Sequence, residues 1–505
     1  MSHSGISQLL AALGQHEHTL EIVNPGTGKP SHPLPQFTAD EVAAVAAEQR
    51  AALSAWAATD VRERANVLLN LHDLMLEHQE ELLDLLQFET GKARSHAFED
   101  FAGALNAARH YGKKAPKILG IRRVRSGAPT MARNYVDYPP VGLVGVITPW
   151  NYPLALTGLD VLPALAAGNA VLHKIDNQTA LTALYFRQLA LEAGLPEFAW
   201  RIVVGDGAEV GNAITDNVDY VAFTGSTATG RTVAMRAASR LIGYSLELGG
   251  KNPLIVLPGA NLKHAARIAV AGAVGNTGQL CVSIERLYVP EDTREAFTLA
   301  LTAEVERLVL GRDAKFATDL GSLASANQLK RVTSMLADAV SKGAKVFGGV
   351  PKPEVGPFFI TPAIVTDVPE TANLNRNEVF GPVLQVYGYK SVDEAIKLAN
   401  DTEYGLNAAV VGNVSEAMRV AKQLQAGSVN INEGFRASFA SMESPMGGVK
   451  HSGQGRRNGD AGLLRFTEPK AIGVAAGLLK LPMRGADYAR ASKLLVILSK
   501  VLRRL

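Results

Sequence analysis

The chain carries its only cysteine at the end of a polar run, Gly275-Asn276-Thr277-Gly278-Gln279-Leu280-Cys281. An apolar segment with helical spacing, from Leu262 to Val274, leads into this run. A lone cysteine is most often a small buried hydrophobe with an inert thiol. This one follows polar residues and glycines, so a reactive thiol stays open beside the buried packing residue.

A second segment, Leu246-Glu247-Leu248-Gly249-Gly250-Lys251-Asn252-Pro253, lies upstream and places a carboxylate at the end of an apolar run. A thiol that forms a thioester needs a base that delivers water to it. Cys281 and Glu247 on two separate loops would supply the nucleophile and the base. These residue types therefore indicate covalent catalysis through the sulfur.

Four further motifs accompany these two segments, and all six resemble the aldehyde dehydrogenase superfamily. The resemblance runs in family order from about residue 22 to about residue 470. It implies an α/β fold with a Rossmann-like cofactor domain, an α/β catalytic domain and a small oligomerisation element. The four motifs are Pro149-Trp150-Asn151-Tyr152-Pro153, Phe223-Thr224-Gly225-Ser226-Thr227-Ala228-Thr229-Gly230, Glu378-Val379-Phe380-Gly381-Pro382-Val383, and Pro445-Met446-Gly447-Gly448 with Ser452-Gly453.

The resemblance implies oxidation of an aldehyde to a carboxylic acid with reduction of a nicotinamide. Cys281 would attack the aldehyde carbon, and the Asn151 amide with the Cys281 N–H would stabilise the resulting oxyanion. Glu247 would activate the water that hydrolyses the thioester. Relatives that pass the acyl group to coenzyme A typically lack this glutamate, so its presence favours hydrolysis. A coenzyme-A-acylating dehydrogenase and a non-catalytic binding protein are the less favoured alternatives.

The resemblance also implies a set of cofactor-binding residues. Lys174 follows a short predicted strand, where its ammonium can reach a ribose hydroxyl or a phosphate. Gly225 and Ser226 lie between a strand and a helix N-terminus, which can accept a phosphate although the G-x-G-x-x-G pattern is absent. Glu378 would hold the nicotinamide ribose with Phe380 beside it. The predicted cofactor set is Thr148, Pro149, Trp150, Lys174, Asn177, Gly225, Ser226, Leu248, Glu378 and Phe380.

The choice between NAD and NADP depends on the third residue after the lysine. In NAD-preferring relatives this residue is often a glutamate that accepts hydrogen bonds from the adenosine 2′-hydroxyl. Here it is Asn177, which removes the repulsion that a carboxylate would exert on a 2′-phosphate. NADP is therefore the predicted cofactor, with use of NAD left open.

The overall resemblance within the family is to succinate-semialdehyde dehydrogenases of actinobacterial type. Well-known enzymes of that kind place an arginine six residues before the cysteine to grip the substrate carboxylate, and this chain has Gly275 there. Arg436, in a predicted entrance segment, is the candidate replacement. Phe435, Phe439 and Trp150 would instead suit an aromatic or aliphatic aldehyde without a carboxylate, and this alternative stays open.

The composition of the chain also bears on its partners, its cellular compartment and its relation to membranes. The 51 basic and 48 acidic residues nearly balance, which does not suggest a nucleic-acid partner. A single cysteine excludes an internal disulfide, and with no signal-peptide pattern at the N-terminus it favours the cytoplasm. No apolar run is long enough to span a membrane. No metal site is predicted, and a homodimer or homotetramer is expected from the family.

Short apolar strands alternate with helical segments twice along the chain, which predicts two blocks with parallel sheets. We assign residues 1–121 and 141–250 to the cofactor domain and residues 251–449 to the catalytic domain. Residues 122–140 and 450–475 would form the oligomerisation element.

The tail, residues 476–505, lies outside the family resemblance. It places apolar residues at helical spacing from Ala486 to Leu505, with basic residues on or beside the other face. This pattern predicts a basic amphipathic helix that packs on its own oligomer or lies on an anionic membrane surface.

Overall fold

The first of two large sheets forms from the apolar runs between residues 143 and 247. The computed structural model describes residues 3–126, 132–475 and 484–503. Leu143–Thr148 lies in the interior of this sheet, and all of its residues are buried, as expected for a strand covered on both faces. The strand order is Gly453–Gln454, Gly243–Glu247, Tyr220–Thr224, Leu143–Thr148, Ala170–Ile175 and Trp200–Val203, with only Gly453–Gln454 antiparallel.

The second sheet forms from residues 252–431 and has seven strands. Only its edge strand, Lys345–Gly348, is antiparallel to its neighbour. The strand order is Lys345–Gly348, Ala363–Thr366, Val383–Tyr389, Ile284–Pro290, Asn252–Val256, Asn407–Val411 and Ser428–Ile431. Each large sheet buries apolar side chains against its own helices, so the site residues lie on two separately packed supports.

Helices cover the sheets. The pattern Thr38-Ala39-Asp40-Glu41 predicts a capping box, and Thr38 forms it with Glu41 at the start of Ala39–Ala58. The described helices of eight or more residues are His3–Leu10, Ala39–Ala58, Val61–Glu77, Gln79–Thr90, Arg94–Ile118, Pro153–Ala166, Ala180–Glu192, Gly207–Asn217, Thr227–Ser239, Leu262–Val274, Arg294–Val305, Ala326–Ser341, Val392–Asn400, Val414–Ala421 and Gly485–Leu502.

One helix prediction was wrong. The helical spacing of the sequence predicts a single helix from Asp60 through Gln87, but the chain forms two, because His78 leaves helical geometry with φ −102° and ψ 28°. Gly91 ends the second helix at φ 71°, in the left-handed region that glycine reaches without strain, as predicted.

Two smaller sheets complete the chain. The strands His18–Val23 and Pro30–Gln36 form an antiparallel hairpin. Arg122–Val124, Ala132–Asp137 and Lys470–Ala475 form a three-stranded antiparallel sheet, which joins the two segments assigned to the oligomerisation element. Its role in assembly and the proposed domain boundaries stay predictions, and residues 127–131 lie outside the described part of the chain.

The tail forms a helix, Gly485–Leu502, close to the predicted segment. Tyr488, Leu494 and Val501 on this helix are exposed. Residues 476–483 and 504–505 of the tail lie outside the described residues. Among the helices described, none is long and apolar enough to cross a membrane.

Candidate active site

Cys281 follows a turn in the left-handed backbone region. Asn276, Thr277 and Gly278 have φ values of 50°, 56° and 76°, a conformation that costs free energy for the two non-glycine residues. Gly278 is required because a Cβ there would lie 2.2 Å from the Gly381 carbonyl. The Thr277 hydroxyl donates to the Gly321 carbonyl at 3.1 Å, and the Gln279 amide oxygen accepts from the Ala324 N–H at 2.9 Å. Each polar side chain of this turn is therefore used to hold the backbone that presents the thiol.

Asn151 lies beside this turn at the start of the helix Pro153–Ala166. Its side-chain Nδ2 donates to the Gln279 carbonyl at 3.0 Å, which leaves the second amide hydrogen for another acceptor. Its backbone carbonyl accepts from Asn276 Nδ2 at 2.9 Å and from Lys92 Nζ at 2.8 Å. The sequence prediction missed the role of Lys92, whose fully buried ammonium also pairs with Asp100 at 2.8 Å.

Two cavities, each of about 230 Å³, meet at Cys281. Asn151, Leu156 and Cys281 line both of them. Glu247 lines one, and it is buried at 4% exposure. The structure thus brings the predicted nucleophile, oxyanion donor and base to one place between the two sheets.

The cavity that contains Glu247 has the features expected of a dinucleotide site. The helix Thr227–Ser239 begins at its wall, so the positive end of that helix is available to a phosphate. Trp150 and Phe380 face each other there, with 5.7 Å between their ring centroids. Seven residues of the predicted cofactor set line it: Pro149, Trp150, Gly225, Ser226, Leu248, Glu378 and Phe380.

The other three residues of that set lie outside this cavity lining. Thr148 Oγ1 is hydrogen bonded to His173 Nε2 at 2.7 Å. Lys174 is buried at the end of its strand, and burial lowers the pKa of its ammonium while Asp176 and Asp206 raise it. Asn177 Oδ1 accepts from the Gly205 N–H at 2.9 Å. Lys174 and Asn177 therefore lie at the carboxyl edge of the first sheet, which is the edge where parallel α/β sheets bind ligands.

Glu378 is held by residues that the sequence analysis did not single out for this role. Its Oε1 accepts from the Gly250 N–H at 2.8 Å. Glu285 Oε1 accepts from the N–H groups of Val379 at 2.8 Å and Phe380 at 3.1 Å, and its Oε2 pairs with Lys251 at 2.5 Å. Residues that follow Glu247 and Cys281 in the chain thus support the predicted ribose-binding segment.

The buried surroundings of the site favour the neutral, protonated forms of Cys281, Glu247 and Glu378. Burial raises the pKa of the Cys281 thiol to about 12, and the carboxylates of Glu378 and Glu247 add to this effect. Burial also raises the pKa of Glu247 to about 7 and that of Glu378 to about 7. Within the described residues, neither oxygen of the Glu247 carboxyl has a hydrogen-bond partner. A carboxyl with these properties can take a proton from water near neutral pH.

The second cavity is lined mostly by apolar side chains. Phe435, Phe439, Leu159 and Met442 are among them. Gly275 packs against Phe435, since a Cβ there would lie 3.4 Å from the phenylalanine ring. The predicted substrate residues Phe435 and Arg436 both line this cavity.

Arg436 is already paired within the chain. Its guanidinium contacts Glu99 at 2.8 Å and Glu433 at 3.5 Å, and it lies over the Phe435 ring at 4.8 Å. Glu99 also lines the cavity and was missed by the sequence analysis, because it is far from Arg436 along the chain. Arg436 therefore faces the cavity as part of an ion pair.

Comparison with known proteins identifies the family. The model of the aldehyde dehydrogenase family matches residues 13–472. A Mycobacterium tuberculosis protein provisionally named succinate-semialdehyde dehydrogenase [NADP(+)] 2 is 47% identical over 89% of this chain and 87% of its own. The glutarate-semialdehyde dehydrogenase of Pseudomonas aeruginosa is 36% identical over 90% of this chain and 94% of its own.

Solved structures agree with this fold. An Escherichia coli enzyme described as NADP-dependent has a TM-score of 0.86 and 33% identity, covering 91% of this chain and 95% of its own. Betaine aldehyde dehydrogenase from Staphylococcus aureus, solved with NAD⁺, has a TM-score of 0.88 and 30% identity, covering 96% of this chain and 99% of its own. With its two helix-covered β-sheets and the cysteine between them, the chain belongs to the aldehyde dehydrogenase family.

Proposed function

We propose that the protein oxidises an aldehyde to a carboxylic acid through a covalent intermediate on Cys281, with NADP as the preferred cofactor. The observation that carries this proposal is the meeting of two cavities at Cys281. One has the features of a dinucleotide site and contains Glu247, and the other is lined mostly by apolar side chains together with Arg436. Each reactant can thus reach the sulfur from its own side.

The chain's own residues account for the binding and proton-transfer steps. Cys281 gives up its thiol proton to water, Sγ adds to the aldehyde carbon to give a thiohemiacetal, and the free amide hydrogen of Asn151 donates to the oxygen on which charge develops. Loss of hydride leaves a thioester. Glu247 takes a proton from water, and the hydroxide adds to the thioester carbon. The C–S bond then breaks, Glu247 passes its proton to the departing sulfur, and the carboxylic acid and the thiol form.

The cofactor would be held by the helix Thr227–Ser239, by Glu378 at a ribose and by Lys174 at the adenosine end. When bound, the nicotinamide supplies a positively charged ring and accepts the hydride. NADP is favoured because Asn177 places a neutral amide where a carboxylate would repel a 2′-phosphate. The names of the mycobacterial relatives and the E. coli enzyme are consistent with this preference.

Succinate semialdehyde is the proposed substrate. Two observations support it: the relatives at 47% identity carry that name, and a guanidinium faces the substrate cavity. For a carboxylate to reach Arg436, it has to compete with Glu99. Bidentate pairing of a carboxylate with arginine would offset that competition.

An aldehyde without a carboxylate is the second candidate. The observation that favours it is the Glu99–Arg436 pair, which already neutralises the cation in a cavity lined by Phe435, Phe439 and Met442. Such an aldehyde would bind by burial of apolar surface alone.

The test measures kcat/KM for succinate semialdehyde, hexanal and benzaldehyde, each with NADP and NAD, in the natural protein and in Arg436→Met. Preference for succinate semialdehyde, lost selectively in Arg436→Met, is the expected result. Preference for hexanal or benzaldehyde with unchanged values in Arg436→Met would replace the proposed substrate with the second candidate. Full activity in Cys281→Ala would overturn the whole proposal.

The proposal also covers the oligomeric state, the cellular location and the role of the C-terminal tail. We infer a homodimer or homotetramer built on the three-stranded sheet, in the cytoplasm, where a chain with one cysteine needs no disulfide. The basic helix Gly485–Leu502 would pack on another subunit or lie on an anionic membrane surface. Deleting residues 476–505 tests both roles. A change in oligomer mass supports the first, and loss of binding to phosphatidylglycerol vesicles supports the second.

A further inference from the structure

A buried cluster of charged residues lies behind Glu247 and is not used by the proposed reaction. Asp160 is completely buried on the helix Pro153–Ala166. Its Oδ1 accepts from Arg457 Nε at 2.8 Å and from Arg465 Nη2 at 2.5 Å, and its Oδ2 accepts from Arg457 Nη2. Two guanidinium groups thus share one carboxylate, and this leaves the cluster with one excess positive charge.

The register of the first sheet places this cluster next to the proposed base. Arg457 Nη2 donates to Thr224 Oγ1. Thr224 is the register partner of Glu247 on the adjacent parallel strand, so their side chains lie on the same face of the sheet, about 5 Å apart between strands. Arg465 Nη1 donates at 2.9 Å to Ser245 Oγ, on the same strand as Glu247. Both arginines are therefore anchored to the two strands that carry the base.

Among the described residues, Arg457 and Glu247 both have buried polar atoms without a hydrogen-bond partner. Arg457 is 1% exposed, and its Nη1 has no partner among the described residues. Both carboxylate oxygens of Glu247 are also buried without a partner there. Through Thr224, the strand register brings this buried donor beside the strand that carries the two acceptors, and buried groups of this kind are ordinarily satisfied by a small polar molecule. In thioester hydrolysis that molecule is water.

We propose that Arg457, fixed by Asp160 and Thr224, is a positioning residue that orients the Glu247 carboxylate and the hydrolytic water. The inference rests on the proposed role of Glu247. The excess positive charge of the cluster makes ionised Glu247 its natural counter-ion. Other charged groups also face Glu247: Arg465, Asp160 and Arg456 act on the pKa of its carboxyl, and Cys281 lies across the cavity. Among these charges, Arg457 lowers the pKa of the Glu247 carboxyl most strongly, whereas burial raises it.

The test separates acyl transfer to Cys281 from release of the acyl group. In Arg457→Met, the initial burst of NADPH should stay close to that of the natural enzyme, because hydride transfer does not need the base. Steady-state turnover at pH 7 should fall about fivefold, and the acid limb of the kcat–pH profile should move up by about one pH unit. Arg457→Lys should recover part of the shift, since it keeps the charge.

A second readout avoids the cofactor. A p-nitrophenyl ester acylates Cys281 directly, and release of the acyl group can be followed by mass spectrometry of the intact protein. Slower release in Arg457→Met is expected. Arg187→Met, which removes a buried arginine that lines neither cavity, is the matched control and should leave the pH profile unchanged.

The outcomes are distinguishable. If burst and steady-state rates fall together with no pH shift, the role of Arg457 is structural and the inference is overturned. If Glu247→Gln itself does not slow acyl release, the proposed function fails. If Glu247→Gln slows it and Arg457→Met does not, only the inference fails. Should Arg457→Met not fold, Thr224→Val removes one anchor of Arg457 and should shift the profile in the same direction. An unshifted profile would then overturn the inference.

Discussion

The thiol of Cys281 is expected to react slowly with alkylating reagents when no ligand is bound. Its pKa is raised to about 12, which leaves a thiolate fraction of about 10⁻⁵ at pH 7. An ordinary cysteine with a pKa near 8.5 has a thiolate fraction of about 3% at that pH. Because the side chain of Cys281 keeps some contact with solvent, we expect alkylation by iodoacetamide to be slower by at least about a hundredfold, below the full ratio.

The single cysteine makes the measurement direct, because one mass increment on the intact protein reports one site. The rate should rise about tenfold per pH unit between pH 7 and pH 9, whereas the urea-unfolded chain should level off above its thiol pKa. Glu378→Gln removes a carboxylate that raises the pKa of the thiol, so it should speed alkylation at pH 7. Alkylation of the folded protein within tenfold of the unfolded control at pH 7 would refute the reasoning.

Three further changes test other parts of the site. Asn151→Ala removes the proposed oxyanion donor, so kcat should fall by about 10²–10³ while the chain stays folded by circular dichroism. Asn177→Glu places a carboxylate near the expected 2′-phosphate. At about 6 Å in water, a carboxylate and a 2′-phosphate with a charge of about −2 repel each other by about 1.4 kcal/mol, so the NADP/NAD ratio of kcat/KM should fall about tenfold, and an unchanged ratio would contradict the cofactor argument. Lys92→Met leaves Asp100 buried and unpaired, so urea unfolding should show a loss of about 3–5 kcal/mol. Lys92→Met with Asp100→Asn should recover part of that loss, and equal losses in both variants would contradict the ion-pair argument.

The pH dependence of turnover follows from the proposed base. Glu247 has a pKa raised above that of an ordinary carboxyl, so it is protonated below about pH 7 and ionised above it. If thioester hydrolysis limits the rate, kcat should rise about fivefold from pH 6 to pH 7 and less than twofold from pH 7 to pH 8. A flat profile across this range would exclude Glu247 as the rate-limiting base.

Local patterns were sufficient for most of the parallel strands and for locating the motif residues. Leu143–Thr148 is a continuous apolar run, and such runs form strands that are buried on both faces. The helix Arg94–Ile118 went unpredicted because it begins without a side-chain cap and contains glycines and Pro116. Its omission mattered, since this helix supplies Glu99 to the substrate cavity.

Contacts between residues that are far apart in the chain could not be predicted from the sequence. Nothing near Arg436 in the chain indicates that Glu99 pairs with it, and nothing near Glu247 indicates the cluster of Asp160 and Arg457. The left-handed turn at Asn276 and Thr277 was also unexpected, because a β-branched residue such as Thr277 seldom adopts this region without support from neighbouring segments. The motif located the reactive group, and the tertiary contacts determine its electrostatic surroundings.

The two cavities that meet at Cys281 have a consequence for the order of events in a catalytic cycle. Their linings share Asn151, Leu156 and Cys281, and most of their other residues come from different segments. A carboxylic acid can therefore leave through one opening while a dinucleotide still fills the other. Departure of one product does not require departure of the other, and exchange of the segment 435–446 offers a route to new aldehyde selectivity that leaves the walls of the dinucleotide side intact.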